Sequence, residues 1–436
     1  MIIPLLKDHH THPWLYSSLS GCPDLRFVEE KKRALEIIAN QCVNDEVNVV
    51  LGWNDSLYAF SPAELNAFPP LVIMNTSLHC FAMNRAAADR LGSRFPELLA
   101  NWGNREWIER NGAQLFGFIM GIRPCNVERL SSFYEKLARL GVWYAEEMTM
   151  GGVAAIAVFD AADLTSRTLF WADAQSCAGL GEEELTRVHG LKLFTDGALG
   201  ARTARLSQSF LSGEKGVLIY DDGELLDLMS WSAELGKAVA IHAIGDVAVD
   251  QAVNAVARLG KGLAQARIEH CQFISPETAE RAKSLGIVLC MQPNFSFEST
   301  CYRDRLPGQF LGRNNPFRML IDEVGYMPGK DLLFGSDGMP HGVQYALESA
   351  LFPPFPGQVL ELSEFVAGYC MADLENGFIE VAIDHENRKI ITEVTLKLDS
   401  ASSASKLRQS SLGYVGRKAA LAAAAGRGVA ESAEKA

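Results

Sequence analysis

This sequence has 436 residues, 48% of them hydrophobic, and its 53 acidic and 40 basic side chains give a net charge of −13. The acidic balance argues against a nucleic-acid partner or an anionic membrane surface, and the chain has no apolar run near the roughly 18 residues of a membrane span. The nine cysteines are scattered without a CxxC pair, and the first residues lack a basic n-region. We therefore expect reduced thiols, no signal peptide and a cytoplasmic protein.

Short apolar segments alternate with helix-like stretches along most of the chain, a rhythm typical of βα units with a buried parallel sheet. One such stretch, "SPETAERAKSLG", opens on Ser-Pro and ends at glycine, as helices commonly do. We predict eight barrel strands, over residues 2–12, 141–148, 167–173, 190–197, 238–243, 266–273, 286–292 and 331–337. Eight parallel strands with helices between them predict the α/β class and a (β/α)8 TIM barrel.

Two segments do not fit the barrel repeat. Residues 13–135 are too long for one crossover, so we predict an insertion after the first strand, with a helix in "EEKKRALEIIANQC" and strands in "VNVVLGW" and "PLVIMN". Residues 366–399 alternate around the turn "DHEN" and predict a β-hairpin outside the barrel. We divide the chain into a barrel over 1–365, this hairpin, and a Ser/Ala-rich tail over 400–436, expected to be a frayed helix or disordered.

Polar side chains fall at the C-terminal ends of the predicted strands, where active sites of such barrels form. In chain order they are His10, His12, Lys192, Asp196, His242, His270 and Asp337. Taken one at a time, such residues are usually hydrogen-bonded core histidines, turn residues or helix caps. Together they predict a metal site, because neutral imidazole and carboxylate are good ligands for Zn²⁺ and its neighbours. Strand alternation places His10 and His12 on one face and His9 on the other.

Several longer motifs carry a family resemblance. They are "DHHTHP", "LGWND", "LKLFTDGALGARTA", "IHAIGDVAVDQAV", "RIEHCQFISPE" and "LLFGSDGMP". Over roughly residues 1–345 the chain resembles the metal-dependent amidohydrolase superfamily, and within it amidohydrolase family 3, the branch of YtcJ-like and N-substituted formamide deformylase-like proteins. The resemblance implies a (β/α)8 barrel with one or two divalent metal ions per chain, most often zinc. It also implies hydrolysis of C–N bonds other than peptide bonds, by attack of metal-bound hydroxide.

The resemblance also implies residue roles. One metal would be held by His10, His12 and Asp337, and the second by His242 and His270. Lys192 lies where many members carry a lysine carboxylated by CO₂, whose carbamate bridges the two metals. Asp337 would take a proton from the attacking water and pass it to the leaving nitrogen.

Members of the family normally carry a small β-sandwich to which an N-terminal segment contributes. The hairpin over 366–399 is interpreted as a reduced remnant of that sandwich. A reduced sandwich would leave an apolar face of the barrel uncovered, and a homodimer would bury that face.

Four further residues are predicted to contact a small-molecule amide substrate: Trp53, His79, Arg202 and Gln292. The first three lie in loops, and Gln292 ends the seventh predicted strand. Aromatic loop residues favour a hydrophobic substituent on the substrate nitrogen.

Two alternatives stay open at this point. If Lys192 is unmodified, a single metal held by His10, His12, His242 and Asp337 would support deaminase-type hydrolysis. A non-catalytic paralogue that only binds a ligand is the other alternative. Metal content distinguishes the single-metal alternative from a two-metal hydrolase. Chelator-sensitive turnover distinguishes a hydrolase from the non-catalytic paralogue.

Overall fold

The structure is a computed structural model that describes residues 1–76, 78–92, 94–101, 103–397 and 406–410. Its β-strands are β1 (Ile2–Pro4), β2 (Leu6–Thr11), β3 (Asn48–Trp53), β4 (Leu71–Asn75), β5 (Phe81–Met83), β6 (Val142–Glu147), β7 (Thr168–Asp173), β8 (Val188–Phe194), β9 (Ala238–Ala243), β10 (Ala266–His270), β11 (Val288–Met291), β12 (Leu332–Phe334), β13 (Gly377–Asp384), β14 (Lys389–Leu396) and β15 (Lys406–Ser410).

The α-helices of the described residues are α1 (Pro13–Ser18), α2 (Lys31–Gln41), α3 (Pro62–Leu65), α4 (Arg85–Leu91), α5 (Pro96–Asn101), α6 (Arg105–Arg110), α7 (Gly112–Ile122), α8 (Val127–Arg139), α9 (Val153–Ala161), α10 (Ala174–Ala178), α11 (Glu182–Arg187), α12 (Asp222–Glu234), α13 (Asp246–Leu259), α14 (Pro276–Ser284), α15 (Glu298–Cys301), α16 (Val343–Leu351) and α17 (Leu362–Tyr369). None of them combines the length and the hydrophobicity that crossing a bilayer requires.

The main sheet has eight strands in the order β12-β11-β10-β9-β8-β7-β6-β2, with parallel pairing throughout. Helices alternate with these strands along the chain, so both the fold class and the (β/α)8 barrel are confirmed. The helix predicted from "SPETAERAKSLG" is α14, and the side chain of Ser275 caps it by accepting from the Thr278 amide.

The barrel closes between its last and first strands. The Asp337 amide donates to the His10 carbonyl at 2.7 Å. A Cβ atom on Gly335 would lie 2.5 Å from the His10 nitrogen, so only glycine allows the two backbones to approach this closely. The buried Asp8 carboxylate accepts from the Ser336 amide at 2.8 Å and from the Ser336 hydroxyl at 2.5 Å. The closure therefore ties the two ends of the barrel sheet together beside the predicted site.

We expect the substitution Asp8→Ala to lower the free energy of unfolding by about 3 kcal/mol, because it removes both acceptors of Ser336 in the core. Urea denaturation of the apoprotein measures the change. Asp89→Ala on the exposed side of α4 is the control and should shift the value by only about 0.5 kcal/mol. Equal stability of the two variants would show that Asp8 does not stabilise the closure between the last and first barrel strands.

The predicted first strand, 2–12, is wrong as a single element. Its beginning forms β1, which pairs antiparallel with β13 outside the barrel, and only the later part forms the barrel strand β2. Leu5 separates the two strands, and its carbonyl accepts from the Met371 amide at 2.8 Å. The chain therefore contributes its first residues to one sheet and the residues directly after them to another.

The outer sheet has four strands in the order β1-β13-β14-β15. The hairpin predicted over 366–399 supplies β13 and β14. The prediction of a frayed or disordered tail is wrong for residues 406–410, which form β15 because the free edge of β14 offers them a full set of backbone partners. The rest of that predicted tail lies outside the described residues.

The segment after β2 builds a layer of its own. Strands β3, β4 and β5 form a three-stranded sheet, and two apolar clusters pack around it, apart from the barrel core. The predicted helix and two strands correspond to α2, β3 and β4. Helix α8 packs instead on the barrel, where the Tyr134 hydroxyl hydrogen-bonds to Thr168 at 2.6 Å. The nine cysteines all lie in described residues, and none of them forms a disulfide bond.

Candidate metal centre

A cavity of about 260 Å³ opens at the C-terminal ends of the barrel strands. Side chains from the barrel and from the β3–β5 layer both line it. Predicted site residues that border this cavity are His10, His12, His79, Lys192, His242, His270 and Asp337. These residues are distant in sequence, and they meet because parallel barrel strands present their carboxyl ends at one end of the fold.

His10, His12 and Asp337 form one compact group. The Asp337 Oδ1 atom lies 3.2 Å from the His12 Nε2 atom and 3.7 Å from the His10 Nε2 atom. One ligand atom from each of the three lies within 4.8 Å of the others. Burial alone would raise the pKa of Asp337, but the hydrogen bond to His12 and the neighbouring charges lower it to about 2. Two imidazole nitrogens and an ionised carboxylate thus converge, which suits a divalent transition metal.

Hydrogen bonds decide which ring nitrogens of His10, His270 and His242 are unprotonated. The Nδ1 atom of His10 donates to the Glu269 carboxylate at 2.5 Å, and the Nδ1 atom of His270 donates to the side-chain Oε1 atom of Gln292 at 2.7 Å. Each ring therefore keeps its Nε2 lone pair. His242 is reversed: its Nε2 atom donates to the Gly197 carbonyl at 3.1 Å, which leaves Nδ1 unprotonated.

Ring positions and protonation agree with this assignment. The His270 ring centroid lies 4.7 Å from that of His10 and 4.5 Å from that of His242. Burial lowers the pKa of His10 and of His270 well below the usual range, and neighbouring cationic groups lower both further. These imidazoles are neutral at physiological pH, the form that binds a metal. The residues present therefore fit a metal centre.

Residues at the end of β6 and directly after it orient His12. The Thr149 hydroxyl lies 2.9 Å from the His12 Nδ1 atom, and the Thr149 amide donates to the Glu147 carboxylate at 2.9 Å. Glu147 is fully buried and also accepts from the Trp14 amide at 2.5 Å. Thr149 and Glu147 hold the ring from behind, so that its Nε2 atom faces Asp337.

Lys192 lies on β8 with only 1% of its surface exposed. Its Nζ atom is 3.3 Å from the His10 Nε2 atom and 4.9 Å from the centre of the Phe194 ring. Burial lowers the pKa of Lys192 to about 8, although the charges of Glu269 and Asp337 oppose the shift. About a tenth of this lysine is therefore a neutral amine at pH 7.

A buried ion network behind His10 was not found from the sequence. Arg267 donates to Glu269 through Nε, and through Nη1 to Glu146 at 2.7 Å. Glu146 also accepts from His9 at 2.7 Å, which places that histidine in the barrel wall rather than among the converging ligands. The signal was present in "RIEHCQ", where a charged residue of each sign precedes a predicted ligand on a buried strand.

We expect the substitution Glu269→Gln to weaken metal affinity by about 10- to 100-fold, because it removes the anion that orients His10. Competition with a chromophoric chelator measures the affinity, and the melting temperature of the apoprotein reports folding. Glu280→Gln, on the solvent-exposed face of α14, is the matched control. Unchanged affinity in a folded Glu269→Gln protein would contradict this role.

Three of the four predicted substrate contacts lie elsewhere. Trp53 belongs to the β3–β5 layer, where its Nε1 atom donates to the Tyr58 carbonyl at 2.8 Å. Arg202 lies in the loop after β8 with φ +61°, and it does not line the cavity. Gln292 lies behind His270 as its hydrogen-bond partner. Of this group, His79 alone borders the cavity.

Asp196, the other polar residue at a predicted strand end, links two loops. Its carboxylate accepts from the amides of Ile244, Gly245 and Arg205 at 3.0, 2.8 and 2.8 Å. These bonds join the loop after β8 to the loop after β9. Asp196 therefore fixes the backbone near His242 rather than facing the cavity.

A family model described as the amidohydrolase family matches residues 1–342. YtcJ of Bacillus subtilis (strain 168), which carries the word amidohydrolase in its name, is 39% identical over 108 residues, 24% of this chain and 20% of that protein. Protein LONG AFTER FAR-RED 3 of Arabidopsis thaliana is 33% identical over 111 residues, 24% of this chain and 19% of that protein. The alignments thus span about a fifth of the length of each relative.

Two solved structures share the fold. An uncharacterized metal-dependent hydrolase from Pyrococcus furiosus has a TM-score of 0.61 and 22% identity, over 84% of this chain and 80% of its own. An uncharacterized metal-dependent hydrolase from Pyrococcus horikoshii OT3 has a TM-score of 0.62 and 22% identity, over 84% of this chain and 77% of its own. The family model covers most of the sequence, including every converging ligand, and this protein therefore belongs to the amidohydrolase family.

Proposed function

We propose that this protein is a metal-dependent hydrolase that cleaves a C–N bond in a small amide or an N-substituted formamide. The observation that carries the proposal is the convergence of two imidazole nitrogens and an ionised carboxylate, from His10, His12 and Asp337, in one cavity. His242 and His270 lie beside this group and supply a second set of ligands. The ion is proposed to be zinc, which takes such nitrogen and oxygen ligands readily.

A divalent metal bound there supplies Lewis acidity, which polarises a carbonyl and lowers the pKa of water towards roughly 7. Asp337 does the proton chemistry. Its carboxylate is ionised at neutral pH and faces the cavity, so it can accept a proton from an attacking water and deliver it to the leaving nitrogen. This delivery is required because an amide anion is a poor leaving group.

Lys192 is proposed to be N-carboxylated, and its carbamate would be an anionic ligand for the metal centre. The short distance from its Nζ atom to His10 and its lowered pKa both favour this modification. The neutral amine attacks the carbon of CO₂, one C–O π bond opens, and loss of an N–H proton to solvent leaves an anionic carbamate that suits a pocket of metal ligands. An unmodified ammonium at the same position would repel a metal ion.

The cavity wall supports an apolar substituent on the substrate. Alongside the polar groups, it is lined by the hydrophobic residues Leu15, Leu78, Ile108, Phe194, Ile219 and Met339. Such a wall favours a hydrocarbon or aromatic group next to the amide.

A mononuclear hydrolase of the deaminase type is the second candidate. One observation favours it: the group of His10, His12 and Asp337 is compact without any contribution from Lys192. Metal content then distinguishes the two, since the bridged centre binds two ions per chain and the alternative binds one.

The test uses the full chain, with its metal content measured by mass spectrometry. A panel of N-formyl and N-acyl amides with alkyl and aryl substituents is assayed for amine release, before and after treatment with a chelator. The proposal expects turnover that the chelator abolishes and Zn²⁺ restores. Turnover that survives complete metal removal, or a metal-loaded protein that is inactive on every amide, would overturn it.

A further inference from the structure

His79 lies at the tip of the turn between β4 and β5, and the turn holds it in one position. The Asn75 amide donates to the Cys80 carbonyl at 2.8 Å, and the Cys80 amide donates to the Asn75 side chain at 3.1 Å. Leu78 adopts φ +61°, a conformation that non-glycine residues rarely adopt. Strained backbone of this kind clusters at active sites and ligand clamps.

A buried carboxylate links this turn to the barrel. The His79 Nδ1 atom lies 2.8 Å from Glu109 on α6, and the Thr203 hydroxyl donates to the other oxygen of Glu109 at 2.5 Å. Glu109 is 7% exposed. A Cβ atom on Gly197 would lie 2.5 Å from the Glu109 carboxyl carbon, so the absence of a side chain there makes room for the carboxylate. Three separate parts of the chain therefore fix this imidazole.

The ring of His79 faces the metal ligands. Its centroid lies 6.0 Å from that of His242, and His79 and Glu109 line the same cavity as the converging histidines. The contact with Glu109 uses Nδ1, so Nε2 is the nitrogen that a bound substrate meets. Burial alone would lower the pKa of His79, but the charge and hydrogen bond of Glu109 raise it above the usual value.

We propose that His79 is a further catalytic residue: as an imidazolium, paired through Nδ1–H with the buried Glu109 carboxylate, it donates a hydrogen bond from Nε2–H to the oxyanion that develops on the substrate carbonyl. Glu109 and Thr203 are positioning residues, because they hold the imidazole with its free edge towards the reacting atoms. An orienting carboxylate behind a histidine is an arrangement that other hydrolases use to fix a ring. The barrel then supplies the ligands, while the β3–β5 layer supplies a preorganised donor. This inference rests on the proposed function.

The experiment compares the wild-type protein with His79→Asn. The asparagine amide nitrogen can replace Nδ1 in the bond to Glu109, but asparagine has no counterpart of Nε2. With the amide that the wild type hydrolyses best, we expect kcat to fall about 100-fold or more and KM to change by less than about threefold. Metal content and melting temperature should match the wild type. Glu109→Gln should lower kcat by a smaller factor with KM unchanged, and Arg85→Ala on exposed α4 is the control.

A second measurement does not depend on turnover. Binding of a phosphonate analogue of that amide, which mimics the tetrahedral oxyanion, should weaken in His79→Asn by the same factor as kcat/KM, whereas binding of the product amine should not change. A kcat within threefold of the wild type, or a loss of activity that follows a loss of bound metal, would overturn the role of His79. Neither result would affect the proposed function. A metal-loaded wild type that is inactive on the whole panel would overturn the proposed function, and this role with it.

Discussion

The substitution Asp337→Asn will lower kcat by about 100- to 10,000-fold, the range that a positioned general acid or base contributes. Asparagine has the size of aspartate but accepts no proton at neutral pH. It also removes the charge that faces the Nε2 atoms of His10 and His12. The amide nitrogen brought in by the substitution would point a donor where a ligand is needed, so bound metal should also decrease.

Two measurements separate these effects. Metal content is determined first, and kcat is then measured with excess Zn²⁺ to refill the site. Asp322→Asn, on a side chain that is 56% exposed, is the matched control and should keep wild-type activity. An Asp337→Asn protein with full metal occupancy and more than a tenth of the wild-type kcat would exclude Asp337 as the proton carrier.

The substitution Lys192→Ala will lower turnover by at least about 100-fold and reduce the metal bound per chain, because it removes the anionic ligand that the proposed carbamate would supply. The shortened side chain leaves space at the centre of the site. A small carboxylate such as propionate should enter this space and restore part of the activity. Rescue by propionate but not by propylamine would identify the missing group as an anion.

The lowered pKa of Lys192 sets a pH dependence for activation. Only the neutral amine attacks CO₂, and with a pKa of about 8 instead of the ordinary 10.5 its neutral fraction rises about tenfold from pH 6 to pH 7. With the concentration of dissolved CO₂ held constant, reactivation of the apoprotein by Zn²⁺ should accelerate by a similar factor over that interval and level off above pH 8. A rate independent of bicarbonate at every pH would show that the lysine stays unmodified.

The repeat of apolar strands and helix-like stretches was enough to predict the barrel, since each strand is buried on both faces and its hydrophobic run is unbroken. The positions of His10, His242 and Asp337 at strand ends were equally readable, because a parallel barrel brings all such ends to one place. Local sequence thus determined both the architecture and the group of converging side chains.

Tertiary contacts decided the rest. The orientation of His10 depends on Glu269, which is far away in sequence, and that of His79 depends on Glu109 in a separate helix. Trp53 and Gln292 were predicted to contact the substrate. In the structure Trp53 donates to the Tyr58 carbonyl and Gln292 accepts from His270, and no local pattern specifies these partners. Periodicity in a sequence reports which side chains are buried, whereas the partner of each buried polar group is chosen by the packing of distant segments.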